Sequence, residues 1–143
     1  CTIRFNASSQ LIPSYVKNDF VGYDSEVVTL VAGTAAVETA VDLSTLIPPE
    51  AKLWYPHMMQ VLAGGGAQPN EWGARIRIKT GVNLMTVQDT VVANATTGVR
   101  NHFTPVIPNV GQNFYYLEEL LNGSTGSGSL NVWILGYAVP NGG

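Results

Sequence analysis

The chain has 143 residues, of which 45% are hydrophobic and only 12% charged, about half the usual charged share. That length fits one domain, or one domain with an arm, and it can bury a core without metals or disulfides. The composition excludes intrinsic disorder, and no apolar run approaches the ~18 residues of a spanning helix. A net charge of -3 predicts no general attraction to nucleic acid or to anionic membranes.

A single cysteine, Cys1, excludes an internal disulfide and any multi-cysteine metal centre. Its position is read as following a removed initiator Met, which would make the chain a free-standing gene product. No secretory signal is recognised, so function without export is expected. The 17 Val and 12 Thr are β composition. So few charges on a domain of this size predict a surface that faces protein more than water.

Residues 1–24 differ from the rest. Phe5, Tyr15, Phe20 and Tyr23 are spaced among polar residues, with Pro13 between them, and follow neither a helical nor a strand period for long. The pattern predicts an extended N-terminal arm with short strands. Its Ile3, Arg4, Phe5, Tyr15, Phe20 and Tyr23 are the candidate contacts with a capsid or a neighbouring subunit. Residues 2–5 alternate as a strand able to add to an exposed sheet edge.

From residue 25 the pattern settles into strands. Residues 26–32 end at Gly33, and residues 36–41 alternate Ala36, Glu38 and Ala40 against Val37, Thr39 and Val41. Asp42 or Ser44 can then cap a single turn, which Pro48 and Pro49 stop. Residues 53–62 are strongly apolar, so Trp54 and Tyr55 are expected in the core. The segment closes in Gly64, Gly65 and Gly66, and residues 64–72 are expected as an exposed loop.

Residues 74–79 form the cleanest strand, with Ala74, Ile76 and Ile78 on one face and Arg75, Arg77 and Lys79 on the other. A further strand is expected over residues 84–93. Pro105 and Pro108 make residues 99–110 an edge strand or an irregular one. Residues 113–121 admit a short helix or a strand, and the favoured reading is a hairpin with the last strand. That last strand, residues 130–139, is apolar on both faces. It is therefore central to a sandwich or pressed between subunits. The sum is an all-β chain, a β-sandwich or jelly roll of about eight short antiparallel strands. The arm spans residues 1–24 and the domain residues 25–143.

Little in the chain suggests chemistry. Neither glycine-rich segment is followed by the lysine of a phosphate loop, and His57 and His102 stand 45 positions apart without metal-ligand spacing. Glu118 and Glu119 are adjacent, so on a strand they point to opposite faces and share no site. Asp24 and Glu26 share a face, where a solvated edge is expected over a cation site. The stripe of Arg75, Arg77 and Lys79 suits an acidic protein partner or a solvated outer face. Stacking aromatics, which single-stranded nucleic acid would require, are missing from that face. No catalytic residue, metal site or cofactor is expected.

Residues 41–52 (VDLSTLIPPEAK), leading into an apolar strand, resemble a stretch of small jelly-roll virion modules of tailed bacteriophages. So do the Gly/Ser segment at residues 122–128 and the LNVWILGY that follows it at residues 130–137. The resemblance covers about a quarter of the chain. It implies a non-enzymatic, usually trimeric protein: a capsid decoration (cement) protein on the outer capsid surface, or the tip of a tail or head fibre. The independent jelly roll with an arm favours the decoration protein, and a carbohydrate-binding sandwich is the alternative outside virions. The partners implied are the major capsid protein and further copies of the chain, without nucleic acid or membrane. Trp133, Leu135 and Tyr137 would form the subunit interface of a homotrimer.

Overall fold

The computed structural model describes residues 13–63, 71–92, 99–121 and 127–140. They form ten strands: β1 (Ser14–Lys17), β2 (Phe20–Gly33), β3 (Thr39–Asp42), β4 (Leu53–Ala63), β5 (Glu71–Thr80), β6 (Asn83–Val92), β7 (Val99–Phe103), β8 (Ile107–Pro108), β9 (Asn113–Leu121) and β10 (Ser127–Ala138). Every strand pair is antiparallel. One sheet has six strands in the order β1-β2-β10-β4-β7, with β8 also against β4. The other has four, in the order β3-β9-β5-β6. Residues of both sheets share one buried cluster, and the rings of Trp54 and Phe114 stack at 5.4 Å across it. The fold is a β-sandwich.

The period of two that the sequence carries sets which side chains meet. On β5, Ile76 and Ile78 are buried, while Arg75 and Arg77 on the opposite parity are partly exposed. On β10, Leu130, Val132 and Ile134 are fully buried. The register then slips. Ile134 lies opposite Pro56, but Gly136 lies opposite Tyr55, so Leu135 is an extra residue in a β-bulge. The bulge reverses the parity, and Tyr137 follows Ile134 into the core at 1% exposure. The strand's two-sided apolarity thus comes from this reversal together with its central place between β2 and β4. A side chain at Gly136 would set its Cβ 2.3 Å from the Val21 carbonyl oxygen and 2.9 Å from the Gly22 Cα. Only glycine allows that approach.

The segment between β3 and β4 packs one end of the core. Ser44's backbone N–H donates to Asp42 Oδ1 at 2.8 Å. That bond, with a second from the Ser44 hydroxyl, holds the Asp42 carboxyl below its ordinary range. Leu46 and Ile47 donate their N–H groups to the Leu43 carbonyl at 2.9 and 2.8 Å, closing one turn before Pro48. Leu43, Leu46, Ile47 and Ala51 are buried, and Asn109 donates to the carbonyls of Pro48 and Ala51. The stretch whose sequence carried the resemblance is therefore a packed connection.

Two expectations about strand partners are corrected. Residues 113–121 are a strand, but β9 pairs with β3 and β5 and forms no hairpin with β10. β9 and β10 belong to different sheets, whereas a hairpin would keep both in one. Residues 14–17 and 20–24 of the expected arm lie in the six-stranded sheet, as β1 and the start of β2. Asn18, at φ 55°, opens the two-residue turn between them. Residues 1–12 lie outside the described residues.

Candidate functional site

The two outer faces of the sandwich differ, one carrying paired charges and the other a cluster of rings. On the four-stranded sheet, Arg75 Nε donates to Glu119 Oε2 at 2.6 Å, and Arg77 approaches the same oxygen at 3.5 Å. Lys79 Nζ lies 3.6 Å from Glu38 Oε1. The basic stripe thus meets carboxylates of its own chain. These side chains are 30–51% exposed, so each pair contributes ~0–1 kcal/mol. An open depression of about 320 Å³ among Glu38, Arg77, Lys79, Val82, Tyr115 and Leu117 lies on this face.

Glu118, the neighbour of Glu119, points the other way. It is 9% exposed, and its Oε1 has no hydrogen-bond partner among the described residues. Burial raises its carboxyl to about 7, because the ionised form loses water and gains no compensating donor.

The outer face of the six-stranded sheet gathers rings beside a set of ionisable groups, Glu26, His57 and His102. The Tyr15 and Phe20 rings are 6.1 Å apart, and Phe20 meets Tyr55 edge-on at 5.1 Å. Tyr15 and Val28 are each 52% exposed. Val28 on β2 lies opposite Trp133 on β10, which in turn lies opposite His57 on β4. The imidazole of His57 is 5.2 Å from the Trp133 ring.

His57 is also the middle of a three-residue chain. Its Nδ1 is 2.9 Å from Glu26 Oε1, and its Nε2 is 2.8 Å from His102 Nδ1. An ionised carboxylate only accepts, so His57 donates from Nδ1 and its Nε2 accepts from His102 Nδ1–H. These proton positions are assigned from the donor and acceptor geometry. The three groups run in a line and do not converge. Among the described residues, no cluster of three or more His, Cys, Asp or Glu side chains is placed to hold a metal ion.

Of the candidates read from the sequence, Tyr15 and Phe20 come together on this face. Trp133 is half-buried there, and Leu135 is half-buried at the bulge. Tyr23 and Tyr137 come together in the core instead, with rings 6.2 Å apart, and Tyr23 donates its hydroxyl to the Leu46 carbonyl. Neither has free apolar surface for a partner. Ile3, Arg4 and Phe5 lie outside the described residues. Trp54 is in the core as expected, fully buried, but Tyr55, expected there too, has the opposite parity and lies half-buried against Phe20 on the outer face. Sequence reasoning missed the association of Glu26, His57 and His102. It depends on strands distant in the chain lying side by side, and no spacing signals that.

A comparison with protein-family models finds none that matches the chain, and a comparison with curated proteins finds no match either.

Proposed function

We propose that this chain is a capsid decoration (cement) protein of a tailed bacteriophage. In this reading it is a jelly roll that binds the outer surface of the head as a homotrimer and acts by contact, without catalysis. The observation that carries the reading is the contrast between the two outer faces. One is a ladder of charges paired within the chain, suited to water. The other gathers Tyr15, Phe20, Tyr55, Val28 and Trp133 beside the ionisable Glu26, His57 and His102, and such a cluster of rings suits a surface that a protein covers.

The strand order supports the jelly-roll part. From β2 to β10 the chain crosses between the sheets at six of its eight connections, leaving β2-β10-β4-β7 over β3-β9-β5-β6. Eight strands wound as two Greek keys have that alternation. The resemblance of residues 41–52 and 130–137 to phage virion modules supplies the partner: the major capsid protein, and further copies of this chain.

Light scattering on the purified protein tests the oligomer, with three times 15.3 kDa expected. Co-sedimentation with expanded heads that lack the protein tests the partner. A monomer that leaves heads bare but coats host cells would replace this reading with that of a receptor-binding fibre tip.

A further inference from the structure

We propose that Glu26, His57 and His102 form an acid-released strap that holds edge strand β7 onto the six-stranded sheet. Glu26 is on β2, His57 on β4 and His102 on β7, with β10 lying between β2 and β4. Two hydrogen bonds of 2.9 and 2.8 Å therefore reach across four strands. The inference concerns the chain by itself and holds whatever covers this face.

β7 needs such a tether. It has five residues and pairs with β4 alone. Arg100, Asn101 and His102 are exposed, and Phe103 is the one side chain of β7, among the described residues, that packs on the core. A short edge strand with little buried apolar area opens at a lower free energy than the central strands.

The strap's response to protons follows from its geometry. With both imidazoles neutral, His57 Nδ1–H donates to Glu26 and His102 Nδ1–H donates to His57 Nε2. A first added proton goes to His102 Nε2, outside the chain of bonds, and both bonds survive. A second can only go to His57 Nε2. Two N–H groups would then face each other at 2.8 Å between adjacent cations, so the His57–His102 bond must break. Protonating Glu26 also removes the charged acceptor at the other end.

The surrounding charges work in the same direction. Arg100 shares the strand parity of His102 and disfavours holding two cations close. Asp24 shares the parity of Glu26 but lies at the far end, away from His102. The neighbours on β10 and β4, Trp133, Tyr55 and Met59, carry no charge near neutrality. The strap thus tolerates one extra proton and opens with two.

The test uses the full chain alone. Amide hydrogen exchange, corrected for the intrinsic pH dependence of exchange, is followed in β7 and β10 at pH 8 and pH 5. Protection of β7 should fall about tenfold on acidification, matching one lost hydrogen bond, while β10 keeps its protection. In His102→Ala, β7 should be weakly protected at pH 8 with no further loss at pH 5. Glu26→Gln, which preserves shape, should lower β7 protection at pH 8 alone.

Nitrogen NMR at pH 8 gives a readout that a merely structural contact would not move. Both imidazoles should carry their proton on Nδ1. Unchanged β7 protection between pH 8 and 5, equal loss in β10, or an Nε2–H tautomer at His102 would each overturn the strap.

Discussion

Replacing Glu118 by Gln isolates the one carboxyl that is buried among the described residues. Glutamine has the shape of protonated glutamate, so packing against Ile76 and the inner face of β9 is retained. In the folded chain burial raises the Glu118 carboxyl from 4.5 to about 7. Between those values the unfolded chain has released the proton and the folded chain still holds it. The folded state then binds more protons, and stability falls as pH rises from about 4.5 to about 7, staying flat above. The full difference corresponds to a ceiling of about 3 kcal/mol. Residual solvent contact of this 9%-exposed group lowers it to about 2 kcal/mol. Urea denaturation of both proteins at half-unit steps from pH 4 to 8.5 measures the difference. The two should coincide near pH 4, and the Gln variant should be the more stable by about 2 kcal/mol at pH 8. A stability difference that is constant across the range would refute the reasoning, as would a Gln variant that is weaker at pH 8.

Other outcomes follow from packing. Gly136→Ala should cost about 1–3 kcal/mol in a urea titration, because the clash is with the backbone of β2 and no side chain can move aside. Arg75→Ala should change stability by less than ~1 kcal/mol, and 0.5 M salt should erase most of that difference. Removing residues 1–12 should weaken capsid binding, as the arm reading requires. Removing residues 1–24 should lower the thermal midpoint markedly, since it strips β1 and the start of β2 and takes Tyr23 out of the core.

How far the sequence was legible depends on the range over which each feature is determined. The alternation of residues 74–79, the single turn at residues 43–47 and the burial of Trp54 are local, and each was readable. The parity of Tyr137 was not, because one bulge residue at Leu135 reverses it and nothing in an apolar run marks which residue is extra. Tyr23 looked like part of an arm, since two residues of turn at Asn18 and Asp19 break the period of β1 and β2. The partners of β9 and β10 were misjudged for a topological reason. Gly/Ser loops are as well suited to crossing a sandwich as to closing a hairpin. The strap was invisible for the same reason, as His57 and His102 become neighbours only through the pairing of β4 with β7.

The claim that the chain acts through the outer face of its six-stranded sheet can be measured directly. Expanded heads lacking the protein are titrated with the parent chain, with Val28→Asp and with Val82→Asp, and occupancy is read after sedimentation. Val28 is half exposed beside Trp133, and Val82 is 94% exposed next to the four-stranded sheet, so neither substitution disturbs the core. Saturable binding by the parent, an affinity about tenfold lower for Val28→Asp and no change for Val82→Asp are expected for a charge buried in a contact. Heads left bare by the parent, or bound equally by all three proteins, would contradict the account.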